Sequence, residues 1–185
     1  MIKQHPLAYF IFILQLVVFS LVVLYGYVIL KRLLAWLKIP ELLVPQTDIP
    51  QTFITVIIPV RNEATNILAL LQDLKAQTYT PGLMEVLIID DDSDDHTALL
   101  VKDFARTASF MIKCLPLKEY TLKTGKKAAV QVGVAQATGE LLVFTDGDCR
   151  VQPHWLRYIE YLYRQKQAKF ISGLVCYDAP TSLFQ

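Results

Sequence analysis

Asp146 and Asp148, separated by Gly147, directly follow the apolar run Leu141–Thr145. Two carboxylates so placed offer hard oxygens to Mg²⁺ or Mn²⁺, with phosphates and water completing the octahedron. The glycine lets the backbone turn tightly beside a diphosphate. A cation held there would stabilise negative charge gathering on a departing nucleoside diphosphate. Asp-Gly-Asp is also ordinary surface-turn chemistry, so its meaning depends on what else meets it.

Two further clusters close apolar runs. Pro59-Val60-Arg61-Asn62-Glu63 ends the run that begins at Phe53, and Asn62 can cap the helix that follows. Asp90, Asp91, Asp92, Asp94 and Asp95 crowd five carboxylates around Ser93. Like charges that close repel unless they are solvated, used as caps, or bound to cations. A calcium loop in a frame starting at Asp90 puts Asp95 where glycine is required and Val101 where the bidentate glutamate belongs, so that frame fails. Ser93, Asp94 or Asp95 can cap the next helix, which leaves Asp90 and Asp91 as the candidates for ligand contact. Gly125-Lys126-Lys127 opens another helix and places two lysines where phosphate could meet a helix N-terminus. It lacks the upstream glycine and following Ser/Thr of a phosphate-loop nucleotidase. An aspartyl-nucleophile phosphatase, which expects Thr or Val two residues past the second aspartate, meets Arg150 instead.

The elements that must position these clusters alternate. The pattern predicts strands over Phe53–Val60, Glu85–Asp90, Phe110–Leu115, Leu141–Thr145 and Phe170–Val175. Between them lie helices carrying Ile67, Leu68, Leu71 and Leu74, then Thr97–Ala105, then the segment from Gly125 to Thr138-Gly139. A last helix begins at Pro153, with Trp155, Leu156, Ile159 and Leu162 on one face. Such alternation implies an α/β fold with a mainly parallel sheet, right-handed crossovers, and ligands beyond the carboxyl ends of the strands.

Ahead of this part, Leu7–Leu30 contains no charged residue. A helix of that length crosses a hydrocarbon core of ~30 Å. A cleaved signal would carry a shorter apolar region and a small-residue cleavage site, whereas Leu30 leads into Lys31-Arg32. Lys31, Arg32 and Lys38 after the span favour a cytoplasmic remainder by the positive-inside bias. Residues 1–50 therefore read as a transmembrane anchor and Pro-punctuated linker, and 51–185 as one α/β domain. The net charge of +1 leaves no basic field for nucleic acid. Cys114, Cys149 and Cys176 are odd in number and widely spaced, as buried thiols in a reducing compartment would be.

In this order and at this spacing, VIIPVRNEATNI, IIDDDSDDHT, GKKAAVQVGVAQATGE and LLVFTDGDCRVQPHWL resemble the family 2 glycosyltransferases with the GT-A fold, from Thr52 to Val175. The resemblance implies a Rossmann-like, mainly parallel sheet and inverting transfer of a sugar from a nucleotide diphosphate-sugar, often UDP-linked, with a divalent metal. The acceptor is expected to be a glycan or lipid at the inner membrane. It places Pro59, Val60 and Glu63 on the nucleoside pocket, Asp90 and Asp91 on the nucleotide-contacting acidic pair, and Lys126 near the donor. Asp146 and Asp148 fall on the metal-diphosphate (DxD) motif, Asp148 being the direct ligand. Asp92 and Arg61 depart from the small residue and tyrosine common at their positions. The family's general base and Gln-x-x-Arg-Trp motif lie beyond the point corresponding to Gln185, and Asp178 is a poor substitute on a loop. The resemblance thus leads to the expectation of a partial transferase, or of a non-catalytic nucleotide-sugar-binding module.

Overall fold

The computed structural model describes residues 6–39, 43–45, 47–173 and 175. The chain divides into two compact units, Met1–Leu43 and Val44–Gln185.

The first unit is built on one helix, α1 (Pro6–Trp36). Within Ala8–Trp36 a stretch of 18 residues reaches a mean hydropathy of 2.5, and the helix is long and apolar enough to cross a membrane. It runs past the expected end at Leu30 because Lys31-Arg32-Leu33-Leu34 are good helix formers with no Gly or Pro to stop them. The large apolar side chains from Tyr9 to Trp36 are exposed, as lipid-facing residues of a lone span would be.

Among the described residues the second unit contains four strands: β1 (Ile54–Val60), β2 (Met84–Asp90), β3 (Met111–Pro116) and β4 (Leu141–Phe144). The helices between and after them are α2 (Ile67–Lys75), α3 (Thr97–Ala105), α4 (Lys126–Gln136) and α5 (Trp155–Lys166). The sheet order is β3-β2-β1-β4, with every pairing parallel. This is a layered α/β arrangement, and its crossovers explain the strand composition. All seven residues of β2 are buried because helices cover both faces.

Strand periodicity divides the core in two. Ile54, Val56, Ile58 and Val60 of β1 pack with Ile67, Leu70, Leu71 and Leu74 of α2, Val101 and Phe104 of α3, and Leu156 of α5. Ile57, Leu87 and Ile89 face the other way, onto Ala128, Ala129 and Val132 of α4. Helices α2 and α3 carry the chain outward from β1 to β3, and α4 returns it beneath the sheet to β4. Strand β1 therefore lies between neighbours whose connections leave in opposite directions, which opens a crevice at its carboxyl end.

Two expectations fail locally. Phe170–Val175 forms no strand among its described residues, and Phe170 and Val175 are exposed. A β-rich run forms a strand only beside a hydrogen-bonding neighbour, and no described strand pairs with it. Asn62 does not cap α2, which starts at Ile67 after Asn66. Its backbone instead takes the left-handed conformation (φ 58°), and its side-chain oxygen accepts from the Asp94 N–H at 3.0 Å.

Candidate functional site

Val60 ends β1 and its carbonyl accepts the Asp91 N–H at 2.9 Å, tying the loop after β1 to the loop after β2. Pro59 sits one residue earlier, opposite Ile89 in the register. Beyond Val60 the two loops are stitched together. Asn62 N–H donates to Ser93 Oγ at 3.0 Å, Glu63 N–H to Thr97 Oγ1 at 2.9 Å, and Ala64 N–H to Asp95 Oδ2 at 3.0 Å. Asp95 also accepts from the Thr97 N–H at the start of α3, as a cap does. Those bonds, led by the Thr97 hydroxyl, hold its carboxyl below the usual carboxylate range. The crowded aspartates are therefore shared out rather than left to repel one another.

Asp90 is buried at the end of β2, and its Oδ1 accepts from both the N–H and the hydroxyl of Ser93, at 3.1 and 2.6 Å. That work is internal to the loop. Asp91 is also buried, and its Oδ2 accepts the Gly125 N–H at 2.8 Å, with the Arg61 guanidinium at 3.8 Å. Gly125 has φ 88°, a conformation an L side chain rarely adopts, and this turn sets Lys126 at the first position of α4. Asp92 points outward and pairs with Lys118 at 2.8 Å.

Lys126 reaches the end of β4. Its ammonium lies 2.6 Å from Asp146 Oδ1 and 2.8 Å from Asp146 Oδ2. Gly147 is buried beside it, and a Cβ there would stand 3.0 Å from Val60 Cγ1 and from Glu63 Cγ. Gly147 lies in a turn, as the sequence led one to expect, and its lack of a side chain also suits the close approach to β1. Asp148 is exposed and has no hydrogen-bond or ion-pair partner among the described residues. Behind it, Arg150 grips Asp73 of α2 through two bonds of 2.6 and 2.8 Å, and the Val151 N–H adds a third at 3.2 Å.

These contacts close a ring. Val60 holds Asp91, Asp91 holds Gly125, Lys126 holds Asp146, and Gly147 rests on Val60 and Glu63. Pro59, Val60, Glu63, Asp90, Asp91, Lys126, Asp146 and Asp148 thus all lie at the carboxyl edge of the sheet around β1. The Asp73–Arg150 staple has no signal in the sequence, and Gly125, expected only to open a helix, is held in its turn by Asp91. Asp73 lies two turns into a helix and looks like a solvated charge.

The donor set suits a hard divalent cation, with a limit. Among the described residues no group of three or more His, Cys, Asp or Glu could hold a metal by itself. Asp146 and Asp148 would hold Mg²⁺ or Mn²⁺ only together with oxygens from a ligand and water. Cys114 and Cys149 are free and half-buried, away from this role; burial pushes the Cys114 thiol pKa up and keeps it inert. Cys176 and Asp178 lie outside the described residues.

Comparison with known proteins bears on the fold and the family. Glycosyltransferase AglE of Haloferax volcanii is 39% identical over 104 residues, covering 56% of this chain and 33% of AglE. The undecaprenyl-phosphate 4-deoxy-4-formamido-L-arabinose transferase of Klebsiella pneumoniae is 31% identical over 106 residues, covering 56% of this chain and 31% of the transferase. The chain spans about a third of the length of these curated relatives. The mannosyltransferase PcManGT from Pyrobaculum calidifontis, solved in complex with GDP-Man and Mn²⁺, superposes with a TM-score of 0.60. It is 30% identical, over 78% of this chain and 40% of the mannosyltransferase. Residues 55–177 match the family described as Glycosyl transferase family 2, and with its parallel sheet and ring of strand-end residues this chain belongs to that family.

Proposed function

We propose that the chain supplies the donor and metal side of a membrane-anchored glycosyltransferase, which moves a sugar from a nucleoside diphosphate-sugar to a glycan or lipid acceptor with inversion. The observation that carries this is the ring of contacts joining four loops at the carboxyl edge of the sheet. It sets a carboxylate with no partner among the described residues, a paired carboxylate and a lysine around one crevice. Support also comes from a relative named for transfer to undecaprenyl-phosphate and from a structural neighbour solved with GDP-Man and Mn²⁺.

In this reading Pro59, Val60, Glu63, Asp90 and Asp91 line the nucleoside end. Asp91 both shapes that pocket and fixes Gly125. Asp148, helped by Asp146, holds a divalent cation that would stabilise charge on the departing diphosphate. Lys126 stands at an anion-favouring helix N-terminus, within reach of the same phosphates. Inversion requires a base at the acceptor hydroxyl, and none of the residues gathered here is assigned that task. Helix α1 serves as a single-pass anchor in the inner membrane, and Lys31, Arg32 and Lys38 place the second unit on the cytoplasmic side.

Calorimetry on the full chain in lipid nanodiscs, with UDP and with GDP in the presence of Mn²⁺, tests this. One nucleotide should bind, and Asp148→Ala should weaken it by about tenfold or more. Equal binding to the variant would remove Asp148 as the ligand, and binding of neither nucleotide by the parent chain would overturn the reading.

A further inference from the structure

The Lys126–Asp146 pair points to more than a phosphate-binding lysine. Both Asp146 oxygens are engaged by one ammonium, at 2.6 and 2.8 Å, and the same carboxylate stands two positions from Asp148 at the candidate cation site. An oxygen that accepts a short bond from an ammonium is a poorer ligand for a second cation, and the two positive charges crowd each other. Lys126 also has somewhere else to go. It is the first residue of α4, an 11-residue helix whose N-terminus has no side-chain cap, so its leading N–H groups favour an anion. The Gly125 turn is pinned by Asp91, so only the lysine side chain need move.

Resting on the donor-site reading above, we propose that Lys126 couples cation and nucleotide binding by exchanging its partner. A nucleoside diphosphate draws the ammonium from Asp146 to its phosphates and frees the carboxylate for the cation. By thermodynamic reciprocity, a cation on Asp146 makes the ammonium available to phosphate and tightens the nucleotide. Without a nucleotide, Lys126 holds down the affinity of the site for free metal, so the chain binds the metal-nucleotide pair in preference to either alone. Direct metal-phosphate contact adds synergy whether or not the lysine is present. The distinguishing quantity is therefore the affinity for metal alone.

Mn²⁺ binding to the full chain in nanodiscs is read by the electron paramagnetic resonance signal of free Mn²⁺, with and without whichever of UDP and GDP binds. Lys126→Met should tighten Mn²⁺ alone by about two- to fivefold, the range expected for an exposed ion pair. It should also weaken the nucleotide measured without metal and shrink the mutual enhancement. Lys126→Arg, which preserves the pair, should behave as the parent chain does. Lys127→Met removes the same charge from the adjacent position, which has no ion-pair partner among the described residues, and should leave Mn²⁺ affinity unchanged. Unchanged or weaker Mn²⁺ binding in Lys126→Met overturns the exchange. So does equal tightening in Lys127→Met, which would indicate a general field. Failure of the parent chain to bind either nucleotide overturns the donor-site reading itself, a result separable from the other two.

Discussion

Asp73 shows how a residue outside the crevice governs it. Its carboxylate takes two bonds from Arg150 and one from the Val151 N–H, which clamps the exit of the Asp146–Asp148 loop onto α2. The Arg150 bonds hold the Asp73 carboxyl below its ordinary value against the opposing effect of burial. A carboxyl depressed in the folded state contributes stability that is present above the unfolded value, about 3.9, and is lost as pH falls through the folded one. Asp73→Asn should therefore cost about 1 kcal/mol at pH 7, a figure discounted for the exposed guanidinium, and the deficit should shrink below about pH 4. Chemical denaturation at several pH values checks this, and a deficit that stays constant down to pH 3 would rule out the ion pair as its source. The acid-rich loop teaches a related lesson. Asp90, Asp91, Asp92 and Asp95 share a composition, yet one binds Ser93, one fixes Gly125, one meets Lys118 and one accepts the Thr97 N–H at the start of α3.

Among the elements, α4 carries the longest connection, crossing beneath β2 and β1 to bring Lys126 opposite Asp146. Its sheet-facing side is made of small residues, and a Cβ at Gly133 would stand 2.4 Å from Ile57 Cγ2, so the close fit depends on their absence of bulk. Where α4 gives way to β4, buried Glu85 accepts from the N–H and hydroxyl of Thr138 and from the Thr55 hydroxyl, at 2.9, 2.7 and 2.7 Å. Burial pushes the Glu85 carboxyl up, but these bonds and Lys113 outweigh it and leave it below its usual range. Next to it, a Cβ on Gly139 would stand 2.5 Å from the Thr55 backbone nitrogen. Backbone inside a parallel sheet cannot give way as a side chain does. Gly139→Ala should therefore destabilise the second unit by about 2–3 kcal/mol in urea denaturation, and a loss within experimental error would show that the α4–β4 connection is slack. The strand and helix alternation was legible because β-branched runs and helical repeats differ in period. The start of α2 was not. Asn62 has the composition of a cap, but its partner is Asp94, more than thirty residues away.

At the scale of the whole molecule, a lipid-compatible helix precedes a unit whose core is complete enough to form its own contacts. The segment entering that unit is bound to α5. Arg164 pairs with Asp48 at 2.6 Å, and buried Glu160 accepts from Gln51 and Thr52. The expected outcome of removing residues 1–43 is a chain released from membranes by alkaline carbonate, with unchanged circular dichroism of the α/β part, while the full chain stays in the pellet. Release of the full chain would show that α1 is not an anchor, and retention of the shortened one would reveal a second membrane contact.

Local sequence determined that there is one apolar span, that strands and helices alternate, and that polar clusters follow the strands, because each of these depends on periodicity or composition over a few residues. The Asp-Gly-Asp feature could be named but not interpreted at that level, since the same three residues also make a plain turn. Only the tertiary structure decided that Gly147 lies close to Val60 and Glu63, that Lys126 spans to Asp146, and that Asp148 has no hydrogen-bond or ion-pair partner among the described residues. It equally decided that the described residues of 170–175 form no strand, because strand formation requires a neighbour and neighbours come from topology.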